Sequence, residues 1–147
     1  MKWLFPFIWL YFLLVPQVDQ AQSIINNLNE AIQQAPIAQN YLNRAYYYFA
    51  NSYFKKAIRD MDTLLVLQED NTAALLLRGK AKLALEDYSG AINDFNRVIY
   101  YQPDSGAAYY QRGIVRKRNE DAVGACEDFK KAVALGESAT KISSDCR

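Results

Sequence analysis

A repeat constrains this chain more than any other feature. Gly79 and Gly113 stand 34 residues apart, and 34 residues before Gly79 stands Ala45, also small. Ala57, Ala91 and Ala125 share the spacing, as do the large apolar residues Met61, Phe95 and Phe129. Leu64, Val98 and Ala132 continue it, then Leu65, Ile99 and Val133, and Tyr41, Leu75 and Tyr109. Two charged columns complete the pattern: Arg44, Arg78 and Arg112, and Asp60, Asp94 and Asp128. Self-similarity at such a period marks stacked supersecondary units, each too small to bury its apolar face alone.

The units are helical. Leu75, Leu76, Gly79 and Leu83, then Tyr88, Ala91, Ile92, Phe95, Val98 and Ile99, recur at spacings of three and four, which places one apolar stripe on each of two helices. Glu86-Asp87 marks the break between them. Pro103 lacks an amide hydrogen and ends the second helix, and Asp104 or Ser105 can cap the next. Small residues at Gly79 and Ala91 let the two helices approach closely.

The columns Leu75, Gly79, Tyr88, Ala91, Phe95, Val98 and Pro103 resemble the tetratricopeptide repeat. The resemblance implies an all-α solenoid of three helix-turn-helix repeats, over 38–71, 72–105 and 106–139. The first row departs at Ala45, Met61 and Glu69, the third at Ala122 and Glu137. Residues 22–37 read as an N-terminal half-repeat helix, one residue out of register, with Ile24, Leu28, Ala31, Ile32 and Pro36 on its packing face. Residues 140–147 read as a short C-terminal cap, of the kind a repeat stack needs over its exposed end.

The first 21 residues look like an address. Lys2 precedes an apolar run from Trp3 to Val15, which Pro16 is expected to break, and Ala21 supplies a small residue for cleavage. A retained anchor is the alternative, but the run is shorter than the roughly 20 residues a spanning helix needs. The expectation is therefore an exported chain, periplasmic or secreted, without membrane contact after cleavage.

Gly136 is the expected hinge after the last repeat helix, with Cys126 ten residues before it and Cys146 ten after. Two antiparallel helices of equal rise bring both sulfurs to one height, which suits a structural disulfide in an oxidising compartment. A redox or free-thiol role is the alternative. The segment from Ala125 to Gly136 also resembles the closing segment of exported bacterial tetratricopeptide proteins.

Composition narrows the chemistry. Lys plus Arg is 17 against 16 for Asp plus Glu, a balance that offers nucleic acid no basic face. The chain has no histidine, so the commonest general base and metal ligand are both absent. No glycine-rich phosphate loop occurs. No enzyme activity, metal or cofactor is expected. The recurring Arg and Asp columns read as interhelical pairs rather than as a catalytic site, which would occur once.

The resemblance implies a partner, a protein or peptide, in the concave groove lined by the first helix of each row. The corresponding positions are Leu42, Tyr46 and Phe49, then Leu76, Lys80 and Leu83, then Tyr110, Ile114 and Lys117. Packing of some of these in the core is the alternative. Family members that clamp the acidic tail of a heat-shock chaperone use Lys, Asn and Arg at positions held here by Leu42, Tyr46, Leu77, Ala107 and Gln111, so that clamp is not expected. The expected role is an adaptor in the cell envelope. Its alternatives are self-association into a homo-oligomer, or an accessory subunit of an envelope enzyme.

Overall fold

The computed structural model describes the backbone of residues 5–138 and 146, with side chains from residue 20 onward. The described chain is a stack of antiparallel helix pairs. A long helix α1 (Phe5–Gln34) leads into α2 (Ala38–Ala50) and α3 (Phe54–Leu67), then α4 (Thr72–Ala84) and α5 (Tyr88–Tyr101), then α6 (Gly106–Arg118) and α7 (Ala122–Ala134). The first helices of the pairs begin at the row starts read from the sequence. Each pair packs internally and against the next, and α1 packs on α2.

Local chemistry sets the helix boundaries. Side chains of Asn71, Asp87, Ser105 and Asp121 accept the amide hydrogens of Ala74, Gly90, Ala108 and Gly124, satisfying donors that a helix start leaves orphaned. Ser105, not Asp104, is the cap after Pro103. The turn inside each pair contains one residue in the left-handed region: Ser52 (φ 61°), Glu86 (φ 62°) and Glu120 (φ 63°). These also lie 34 residues apart. The next amide then reaches back to close the helix: Tyr53 N–H to Tyr48 O, Asp87 to Lys82 and Asp121 to Arg116, at 2.8, 2.9 and 2.9 Å. Gly136 (φ 99°) ends α7 the same way, with Glu137 N–H donating to Ala132 O.

The core explains two of the first row's departures, Ala45 and Met61, together. A Cβ at Gly79 would lie 2.7 Å from the Phe95 ring, and one at Gly113 would lie 2.7 Å from the Phe129 ring. Aromatic ring and glycine are thus a matched pair. In row one both members change: Ala45 carries the Cβ, and the unbranched, flexible Met61 replaces the ring, with both fully buried. Gly79→Ala should therefore lose about 1–3 kcal/mol in chemical denaturation. Adding Phe95→Met should recover part of the loss, and a double variant no more stable than the single would refute the pairing.

Helix α1 departs from the sequence reading in three ways. It continues through Pro16 and across Ala21, with no break at either. Pro16 withholds one amide hydrogen, and a helix of 30 residues survives the loss of one backbone bond. Ile24 is 43% exposed and does not belong to the packing face; Ile25, Leu28 and Ile32 are half-buried instead. The cap expected over 140–147 lies outside the described residues, apart from Cys146. That residue forms a disulfide with Cys126, Cα to Cα 5.2 Å. Among the described residues no helix is long and apolar enough to cross a membrane.

Candidate protein-binding groove

Helices α2, α4 and α6 form one layer and touch one another along the stack, α2 with α4 and α4 with α6. No contact of that extent joins α3 to α5 or α5 to α7. The closer spacing of the first helices makes theirs the inner, concave layer.

An ionic ladder holds this layer to the outer one. Arg44 grips Asp60 with both forks of its guanidinium, Nε at 2.8 Å and Nη2 at 2.6 Å. Arg78 does the same to Asp94 (3.0 and 2.5 Å) and Arg112 to Asp128 (2.9 and 2.6 Å). The carboxylates are buried, with Asp94 wholly inaccessible. These are the interhelical pairs expected from the recurring columns, and burial raises their stakes, because a bare carboxylate there has no water to turn to. The bond to Asp60 raises the Arg44 pKa above its ordinary value. Burial alone would lower that of Arg78, and its bonds to Asp94 and Asp62 outweigh burial and raise it. The bond to Asp128 raises that of Arg112.

The third nitrogen of each arginine ties its repeat to the one before. Arg78 Nη1 donates to Asp62 at 2.7 Å and Arg112 Nη1 to Asn96 at 2.6 Å. Arg44 Nη1 donates to Asn29 of α1 at 2.9 Å. Asn29 thus stands where the second helix of a preceding repeat would place its acceptor. It sits 15 rather than 16 residues before its arginine, which accounts for the slipped register of the half-repeat. Two further cations escaped notice in the sequence: Lys82 meets Asp94 at 2.8 Å and Arg116 meets Asp128 at 3.0 Å. Tyr48, Lys82 and Arg116 form another column, and in row one Tyr48 instead stacks under Arg44 and Lys56.

The nine positions carried over for the groove do not share one environment. Leu83 is buried beside Ala91, Phe95 and Val115 and presents no surface to a partner, because α6 closes over it. Leu42 and Phe49 pack on the core of the first two repeats. Leu76 and Ile114 pack on the core with part of each side chain open. Tyr110 rests against Phe129, ring centroids 5.7 Å apart. Tyr46 is 49% exposed, Lys80 is half-buried and Lys117 is exposed. The open part of the inner layer is therefore Tyr46, the outer portions of Leu42, Phe49, Leu76, Tyr110 and Ile114, and the lysines. A shallow depression of about 320 Å³ lies elsewhere, at the α2–α3 turn, lined by Ser52, Tyr53, Phe54, Lys55, Lys56 and Leu85. Among the described residues no cluster of His, Cys, Asp or Glu could hold a metal.

The same arrangement of paired helices is found in solved structures. A crystal structure of MamA superposes with a TM-score of 0.76, covering 82% of this chain and 71% of that one at 19% identity. The fold is a tetratricopeptide-repeat solenoid. The first tetratricopeptide domain of Spaghetti (RPAP3), bound to the HSP90 peptide SRMEEVD, superposes with a TM-score of 0.69 over 73% of this chain and 85% of its own, at 19% identity. The Arabidopsis OM64 tetratricopeptide domain gives 0.69 over 72% and 88% at 20% identity. No protein-family model matches the chain, and no curated protein matches it. At these identities the likeness establishes the tetratricopeptide fold, and the groove stands on its own geometry.

Proposed function

We propose that this chain is a non-catalytic adaptor of the cell envelope that holds a protein or peptide segment against the layer of α2, α4 and α6. The observation that carries the reading is Tyr46, a large aromatic half open to solvent on the inner layer that also carries partly open Leu76 and Ile114. An amphipathic ring that gives up little side-chain entropy is the usual anchor of an interface. The Spaghetti domain, with its bound HSP90 peptide, supports use of the fold for peptide capture. The apolar start of the chain and the Cys126–Cys146 disulfide support export to an oxidising compartment. Sequencing the amino terminus of the protein from its native host tests the export reading, and an intact Met1 would count against cleavage. Tyr47 Oη donates to Ala21 O at 3.0 Å, a bond that cleavage after Ala21 would break.

Tyr46→Ala should weaken capture of a crosslinked envelope partner about tenfold, with helicity by circular dichroism unchanged. Undiminished capture would remove the groove from the proposal.

A second reading, self-association, has its own observation. The edge where second helices end exposes Val66 (86%), Leu67 (53%), Tyr100 (81%) and Tyr101 (37%), paired at the repeat spacing. An apolar edge of this kind fits a protein contact. Sedimentation equilibrium of the wild type and Val66→Ser/Tyr100→Ser decides it: a mass that does not change with concentration excludes the homo-oligomer.

A further inference from the structure

The inner layer is built without an acidic residue. Arg44 is the one charge of α2, and α4 and α6 add only lysine and arginine. Every Asp and Glu between residues 38 and 138 falls on a second helix or a turn. Much of the inner charge is engaged, since the three ladder arginines, Lys82 and Arg116 all hold buried aspartates. Lys80 and Arg118 are not engaged: neither forms an ion pair among the described residues. A cation in the last turn of a helix is accounted for by the helix dipole, which covers Arg118. Lys80 lies before the last turn of α4 and has no such account.

The charge is also graded along the stack. The column Tyr46, Lys80, Ile114 is aromatic in the first repeat and cationic in the second, and the column Ala50, Ala84, Arg118 becomes cationic in the third. We infer that the groove takes a partner segment with an aromatic or aliphatic anchor against Tyr46 and Leu76 and neighbouring carboxylates facing Lys80 and Arg118. This rests on the groove reading above and deepens it by naming the partner's chemistry. Neither cation occupies one of the positions that clamp a terminal carboxylate, which here are Leu42, Tyr46, Leu77, Ala107 and Gln111. The ligand carboxylates are therefore Asp and Glu side chains, and no free carboxyl terminus is required. Solvated charges contribute little affinity singly, so anchors hold the segment while charge selects and steers it.

The test is selection of a random dodecapeptide library, displayed internally with both ends blocked, on the full chain. The expected peptides are rich in Asp and Glu and hold at least one Leu, Phe or Trp. Binding of a synthesised winner should weaken about tenfold in Lys80→Glu/Arg118→Glu, less in Lys80→Gln, and should fall with added salt. Circular dichroism confirms that each variant is folded. Neutral or basic winners that still lose binding in Tyr46→Ala would overturn the acidic partner and leave the groove standing. Winners indifferent to both variants, or no enrichment over bare support, would overturn both.

Discussion

Asp94→Ala will destabilise the stack by about 3–5 kcal/mol in urea unfolding, the cost of stranding buried charge. Asp94 is wholly buried and is shared by Arg78 and Lys82, so its removal leaves Lys82 without its carboxylate and Arg78 with only the exposed Asp62. Asp62→Ala is the matched control. Asp62 bonds to the same guanidinium, yet its side chain is 56% exposed, so water replaces it for less than about 1 kcal/mol. Equal losses for the two variants would show that bond count rather than burial sets the energy. The ladder should be insensitive to alkali up to about pH 10. A raised arginine pKa gives stability that is fully present below the unfolded value and is lost only as pH rises through the higher folded one.

Cys126→Ser/Cys146→Ser should lower stability by about 3 kcal/mol, the loop-closure term for cysteines 20 residues apart. The loss should fall on the last repeat, because the bridge ties α7 to the chain that follows it. Hydrogen exchange of the α6 and α7 amides would then accelerate more than that of α2 and α3. Uniform acceleration would mean that the repeats unfold as one unit and would contradict a local staple. Reductant alone should reproduce the variant's behaviour in the unmodified protein.

The repeat was legible because its positions are chemically strict: only a small residue passes an aromatic ring, so Gly79 and Gly113 declare themselves. The departures at Ala45 and Met61 looked like decay of the pattern when each was read alone. They become one compensated exchange once the ring contact is known. The left-handed column of Ser52, Glu86 and Glu120 was invisible, since these residues share a backbone conformation and no side-chain chemistry. Asn29 was hidden by a single missing residue in the period. The groove was less legible than the fold. Positions carried over from a repeat pattern identify which helix faces inward, but not how far the next helix closes over a given side chain. Leu83 was lost to the core for that reason, and Tyr46, at the end of the layer, stayed open.

Each ladder arginine grips an aspartate in its own repeat and a side-chain oxygen in the element before, Asp62 for Arg78, Asn96 for Arg112 and Asn29 of α1 for Arg44. The joint between neighbours is consequently interchangeable. Deleting residues 72–105 would bring Arg112 onto Asp62, an acceptor as good as the Asn96 it had lost, and would leave both remaining ladder arginines, Arg44 and Arg112, with two partners each. A chain wired this way can shorten or lengthen by whole periods without redesigning a single seam, whereas a deletion of any other length breaks the wiring at once.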